Sequence, residues 1–246
     1  MIDLHCHLLP GLDDGPASLA ESVEMARGAV DSGTSVMVAT PHIDHHWGVA
    51  PAEVPRRAAL LSEALRSNGI ELEVLTGGEI ALSRMADLTA EELDGLRLGS
   101  GPYLLIEAPL EQAAGDFDML LARIRGRGEE ILLAHPERSP LFQREPERLM
   151  RLVQDGVLCS VTAGSITGRF GASVRELTLE LLRAELVHNV ASDSHDPERR
   201  PPGLGEALRA AELAIDGVAG QAAWLTRLAP AAIITGQPLP PKPALV

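Results

Sequence analysis

Residues 1–15 read MIDLHCHLLPGLDDG: an apolar run ends in His5-Cys6-His7, and a Pro-Gly turn leads to Asp13-Asp14-Gly15. The run predicts a β-strand at 2–5. Alternate side chains of a strand share a face, so His5 and His7 point one way and Cys6 the other. Two imidazoles held side by side on a rigid element begin a metal site. Asp13 reads as a cap or turn residue, and Asp14 as either a helix cap or a further ligand.

The same motif, an apolar run with a polar end, recurs downstream. Runs at 2–5, 36–40, 72–75, 103–107, 131–134, 158–162 and 187–191 alternate with helical patterns at 19–31, 53–68, 90–96, 117–126, 145–155 and 173–183. Further helical patterns follow at 204–215, 221–228 and 230–234. Gly33, Gly69, Gly128 and Gly156 stand where helices end. Strands alternating with helices imply an α/β fold with a parallel sheet, open or closed.

The polar ends favour closure. His5 and His7, with Asp14, follow the first run, and His42 follows the second after Thr40-Pro41. Glu79 follows Gly77-Gly78, Glu107 ends the fourth run, His135 leads His-Pro-Glu-Arg138, and Asp193 and His195 follow the seventh. A barrel gathers the C-terminal ends of its strands at one rim, where such residues converge. The expected architecture is one barrel domain over 1–236 and a poorly ordered Pro-rich tail over 237–246. His188 reads as a core histidine within the seventh run, and Cys159 as core filler. His45 and His46, in the loop Asp44-His-His-Trp47, read as substrate-rim residues.

Composition narrows the function. The 246 residues are 45% hydrophobic and only 2% aromatic, so an aliphatic core is expected. A net charge of −14 argues against non-specific binding to nucleic acid or an anionic membrane. The only two cysteines, Cys6 and Cys159, imply no disulfide framework and suit a reducing compartment. No basic region precedes the first apolar run, and no run approaches a membrane span. A cytoplasmic protein without membrane insertion is expected.

The segments IDLHCHLLPGLDDG, VATPH, GGEI, LIEAP, LLAHPER, TAGSITGRFG, VASDSH and RRPP, in that order, resemble the PHP (polymerase and histidinol phosphatase) superfamily. More narrowly they resemble the bacterial protein-tyrosine phosphatases of capsule and exopolysaccharide clusters, the CpsB/YwqE type. The likeness runs through the chain up to the tail. It implies a distorted (β/α)7 TIM-like barrel and three divalent metal ions. One ion would take His5, His7, Glu79 and Asp193; a second Glu79, Glu107 and His135; a third Asp14, His42 and His195. Arg138 and Arg200 match the phosphate-contacting arginines. Residues 44–47 depart from the pattern and leave the substrate rim open.

Carboxylate and imidazole ligands without thiolate suit Mn, Fe or Zn, and spacing alone does not choose among them; with the family resemblance, Mn2+ is the first expectation. Three divalent ions outweigh the charge of four ligand carboxylates, so an acidic chain can present a positive pocket to phosphate. The implied reaction is hydrolysis of protein phosphotyrosine by attack of a metal-bound hydroxide on phosphorus. The implied partner is a bacterial tyrosine kinase's tyrosine-rich tail; oligomeric state is left open. Proton donors consistent with the sequence are Asp196, His45, His46 and metal-bound water.

Cysteine-based tyrosine phosphatases need Arg six positions after the nucleophile, but Leu12 and Ser165 stand there. Lys242 is the only lysine and lies in the tail, which excludes a carboxylated-lysine metal bridge. Two other readings compete: a small-molecule phosphomonoesterase such as histidinol phosphatase, and a degenerate barrel serving as a binding module.

Overall fold

The apolar runs become strands and the amphipathic stretches become helices. The computed structural model describes residues 1–110 and 116–245. In chain order the first half comprises β1 (Ile2–Cys6), α1 (Leu19–Asp31), β2 (Val36–Ala39), β3 (His42–Ile43), α2 (Glu53–Ser67), β4 (Glu73–Thr76), β5 (Glu79–Ile80), α3 (Ala90–Gly95) and β6 (Tyr103–Glu107). The second half adds α4 (Phe117–Arg125), β7 (Glu130–Ala134), α5 (Pro140–Arg144), α6 (Pro146–Gln154), β8 (Leu158–Thr162), α7 (Ala163–Thr167), α8 (Ala172–Arg183), β9 (Asn189–Ala191), α9 (Leu204–Glu212) and α10 (Ala229–Thr235). Local chemistry sets several starts. Ser18 caps α1 by accepting from the Glu21 N–H, and Thr89 with Glu92 forms a reciprocal capping box on α3.

Every strand pairing among the described residues is parallel. One sheet has the order β1-β2-β4, and a second has β3-β5-β6-β7-β8-β9. The expected second and third strands, β2 and β4, are thus each followed after a short break by a further two-residue strand, β3 and β5. Pro41 lacks an N–H and Gly77-Gly78 carries no side chains, so the chain bends at both places. Hydrogen bonding continues through the bends, from Thr40 N to Cys6 O (2.9 Å), Gly77 N to Ala39 O (3.0 Å) and Glu79 N to Pro41 O (3.0 Å). At the other edge His7 N donates to Ser194 O and Asp193 N to His5 O, both at 2.9 Å. These bonds join the C-terminal end of β1 to the segment after β9.

Helices cover the sheets with aliphatic side chains, among them Met25, Leu61, Leu121, Leu149 and Leu182, all buried. A smaller cluster of Leu4, Val38, Leu105, Leu132 and Ile233 fills the space beneath the polar strand ends. β1 contains a bulge: from Asp3 to Cys6 it advances one residue more than β2 does from Met37 to Ala39. The bulge falls where the strand passes from apolar packing to imidazoles, a common place for such a re-aiming device.

The tail is held more firmly than the sequence suggests. Trp224 Nε1 donates to Pro240 O (2.9 Å) and Gln221 Nε2 to Pro243 O (2.6 Å). Lys242 Nζ donates to Val187 O (2.7 Å) and Glu185 O (3.1 Å) and lies 5.0 Å from the Trp224 ring centre. Val246 lies outside the described residues. His188 precedes β9 rather than lying within it, and its Nδ1 accepts from the Cys159 N–H (3.1 Å). Among the described residues, no helix is long and apolar enough to cross a membrane.

Candidate metal centre

The C-terminal strand ends bring all nine expected ligands together. Their donor atoms form four overlapping groups, each within 4.8 Å: His7-Asp14-His42-His195, His5-His7-Asp193, His5-Glu79-His135 and His42-Glu79-Glu107. These groups divide the residues somewhat differently from the family pattern. Glu107 falls with His42 rather than His135, and His7 joins the Asp14 group.

Glu79 is the hub. Its Oε1 lies 2.7 Å from His135 Nε2. Its Oε2 lies 3.0 Å from His42 Nδ1 and 3.4 Å from both His5 Nε2 and His7 Nε2. Despite these short distances, Glu79 Oε2 and His42 Nδ1 make no aligned hydrogen bond, and His135 Nδ1 is also unpartnered. The Nε2 atoms of His5 and His7 stand 3.3 Å apart. Buried donors normally pair. Here Glu79 Oε2 and the nitrogens of His42, His5 and His7 crowd together instead, as ligands of a cation do.

Asp13 orients one of them. Its Oδ2 is 2.7 Å from His7 Nδ1 and accepts from the His42 N–H (2.9 Å), while Oδ1 accepts from the Gly15 N–H (3.0 Å). A carboxylate only accepts, so Nδ1 carries a proton toward Asp13 and Nε2 is the nitrogen turned to the centre, where a bound cation would take its lone pair in place of a proton. Asp3, buried in β1, performs a similar task on the backbone: its Oδ1 accepts from the Ser192 N–H (3.0 Å) and the His5 N–H (3.3 Å). Burial pushes its carboxyl up to about 6, against the lowering effect of the Ser192 contacts.

The electrostatics also suit cations. Burial alone would lower the His7 imidazole, but its hydrogen bond to Asp13 and the nearby Glu79 carboxylate raise it to about 10. Burial would raise the Glu79 carboxyl, but neighbouring His5 and His135 hold it well below the carboxylate range. Burial and the Glu79 charge push Glu107 up to about 7.

Asp193 joins this centre to the arginines. Its Oδ1 faces the Nε2 atoms of His5 (3.5 Å) and His7 (3.6 Å). Its Oδ2 accepts from Arg138 Nη1 (2.7 Å) and Arg200 Nη2 (2.6 Å). His135 and Asp193 both adopt left-handed backbone conformations, with φ of 34° and 51°. Such strain in non-glycine residues clusters where a site dictates geometry.

The family model for capsular polysaccharide synthesis, CpsB/CapC, matches residues 1–223. The chain belongs to the CpsB/CapC family. It is 37% identical over 211 residues to tyrosine-protein phosphatase YwqE of Bacillus subtilis, covering 85% of this chain and 82% of the relative. With tyrosine-protein phosphatase CpsB of Streptococcus agalactiae it shares 27% over 225 residues, covering 85% and 88%. Its structure superimposes with a TM-score of 0.86 and 34% identity on a chain from the crystal structures of B. subtilis YwqE and Streptococcus pneumoniae CpsB, described as metal-dependent tyrosine phosphatases. The superposition covers 99% of both chains.

For this CpsB/CapC-family chain, several sequence readings of the site change. Asp13 is an orienting residue rather than only a turn residue; the i, i+2 histidines could have prompted a search for such a partner. Glu137, between His135 and Arg138, is fully buried, and its Oε1 accepts from Thr162 N (2.9 Å) and Ser165 Oγ (2.6 Å). It ties the HPER turn to the start of α7. Asp196 accepts from the Glu198 N–H (2.9 Å) and the Arg199 N–H, and these bonds, working against burial, hold its carboxyl below the usual range. It therefore suits turn capping better than proton donation. His45 and His46 are exposed and outside the ligand groups: His45 faces Asp87 at 3.5 Å, and His46 packs edge-on against Trp47.

Proposed function

We propose that this chain is a metal-dependent protein-tyrosine phosphatase whose two sheets form one distorted (β/α)7 TIM-like barrel over 1–236. The bonds from His7 and Asp193 across to Ser194 and His5, and those bridging the two strand breaks, support a continuous ring of strands. The single observation that carries the function is Asp193, with one oxygen toward the imidazole cluster and the other held by two arginines. That arrangement sets a cation centre beside a phosphate-binding fork.

The reading assigns His5, His7, Glu79 and Asp193 to one ion, Glu79, Glu107 and His135 to a second, and Asp14, His42 and His195 to a third, with Mn2+ the first choice. Divalent ions held there would supply a water nucleophile at neutral pH and neutralise phosphate charge. The protein contributes the rest. Asp13 keeps the His7 proton on Nδ1, and Glu79 holds four imidazoles around one carboxylate. Arg138 and Arg200 present planar donor forks that suit equatorial phosphate oxygens. A phenol with a pKa near 10 leaves with less protonation than an alkyl alcohol. The relatives' activity and the resemblance point to phosphotyrosine in a bacterial tyrosine kinase tail, serving exopolysaccharide or capsule synthesis. Two free, buried cysteines suit the cytoplasm.

The test is elemental analysis of the purified protein combined with kcat/KM on phosphotyrosine peptide, phosphoserine peptide and histidinol phosphate. Bound transition metal and a clear preference for phosphotyrosine are expected. A preference for histidinol phosphate, or turnover unchanged after removal of all metal, would overturn the reading.

A further inference from the structure

Phe170 lies in the segment after α7, where the sequence reads TAGSITGRFG. It belongs to none of the ligand groups, yet both arginines gather on its ring. Arg138 Cζ is 4.3 Å from the ring centre and Arg200 Cζ is 5.8 Å from it. Both separations are within reach of a cation–π attraction, which guanidinium makes readily because it is planar and weakly hydrated. The two guanidinium groups carry like charge and converge on one oxygen, Asp193 Oδ2. A polarisable face beside them stabilises that crowding without consuming a donor N–H.

The surroundings fix where the ring sits. Gly164 in α7 leaves the necessary space: a Cβ there would meet Phe170 Cε2 at 2.9 Å. Glu137 ties the N-terminus of α7 to the turn bearing Arg138. Arg169, next to Phe170, donates to Arg199 O, and His195 N donates to Arg200 O (3.0 Å). The phenyl ring is therefore connected through short links to both arginine-bearing segments and to a ligand histidine.

We propose that Phe170 is a positioning residue for phosphate recognition: its ring is the platform that aligns Arg138 and Arg200 as one anion-binding fork. The proposal rests on the phosphatase reading for its purpose, but the predicted phosphate binding does not require turnover. The ring meets the arginines directly and reaches the ligand Asp193 only through them. Its loss should therefore lower phosphate affinity while the remaining ligands keep the metal in place.

The experiment titrates inorganic phosphate calorimetrically into manganese-loaded wild type, Phe170→Leu and Phe170→Tyr, with metal content and KM for p-nitrophenyl phosphate measured alongside. Phe170→Leu should bind phosphate about threefold to tenfold more weakly, the span of one to two partly exposed cation–π contacts, at unchanged manganese content. Phe170→Tyr, which keeps the aromatic face, should recover most of that loss. Equal phosphate affinity in wild type and Phe170→Leu would overturn the proposal. So would a raised KM for the aryl ester with unchanged phosphate affinity, because the ring would then contact the leaving group. Should Phe170→Leu misfold, Gly164→Ala decides, since its Cβ displaces the ring without removing it. A weaker fork supports the platform and an unchanged one refutes it. A wild type that binds phosphate but hydrolyses no phosphomonoester would sink the phosphatase reading, while a phosphate loss in Phe170→Leu would still support the platform.

Discussion

His7 and His188 are both largely buried imidazoles near opposite ends of the strands, yet their proton affinities move in opposite directions. At the C-terminal ends, burial of His7 is outweighed by Asp13 and Glu79, and the imidazole rises to about 10. At the other end, burial and the Lys242 charge lower His188 to about 4. His7 donates from Nδ1 to a carboxylate, whereas His188 uses Nδ1 to accept from the Cys159 N–H. Burial alone does not decide what a histidine does. The hydrogen-bond partner chosen by the fold does, and it separates a cation-seeking end of the sheet from a neutral end that only packs.

The comparison can be broken most decisively at Glu79. Glu79→Gln keeps the shape but removes the charge around which His5, His7, His42 and His135 are arranged. Metal content and kcat/KM should both fall, the latter by more than ~100-fold, beyond the range for groups that merely orient ligands. Retained metal and turnover would mean that the carboxylate is not the hub.

Asp13→Asn tests orientation. The amide can present its NH2 to His7 Nδ1 and so favour the wrong tautomer, which should lower metal affinity or activity by about 10- to 100-fold. Calorimetric manganese titration of the apo-protein checks this, and a wild-type affinity would return Asp13 to a turn residue.

His188→Gln sharpens the contrast at the quiet end. Because the folded pKa of His188, about 4, lies below the ordinary 6.5, the unfolded chain binds more protons between these values. Stability from the neutral ring is complete above pH 6.5 and is lost as pH falls toward 4. The wild type should thus lose roughly 2 kcal/mol more than His188→Gln between pH 6.5 and 4.5. Urea denaturation at the two pH values checks the difference; parallel slopes would show that His188 protonates freely in the fold.

The smallest effect belongs to Lys242→Met. It removes the charge that depresses His188, so that imidazole should titrate at higher pH by NMR. The lost ammonium–Trp224 contact should cost only about 0.5–1 kcal/mol. An unmoved His188 titration would disconnect the tail from the neutral end.

The clustered His, Asp and Glu residues were legible because most stand at or shortly after an apolar run, and the strand at 2–5 set the pattern; Asp14, across the Pro-Gly turn, joined them through the family resemblance. What escaped were relationships across sequence distance. Asp13 resembles any turn aspartate until His7 folds back onto it. Glu137 resembles a surface residue of a helical turn until Thr162 and Ser165, on another strand and helix, are seen to donate to it. The bends at Thr40-Pro41 and Gly77-Gly78 were read as strand ends, although the following residues re-enter a sheet. Periodicity reports which face a residue occupies along one element. It carries no information about which partner another element brings to that face.

The Gly77-Gly78 bend gives the hub a hidden dependence. A Cβ on Gly77 would meet Leu98 Cδ2 at 2.9 Å, and one on Gly78 would meet Leu96 Cδ2 at 2.7 Å and Ile43 Cγ1 at 2.9 Å. Neither glycine carries a group that could touch an ion or a substrate. Even so, an added methyl must displace either the leucines beneath or the strand that delivers Glu79. Mutational tolerance around this centre should therefore not decline smoothly with distance from the chemistry. These two positions should be less tolerant than their lack of functional groups implies, and a screen for activity would mark them beside the site although their side chains do no chemistry.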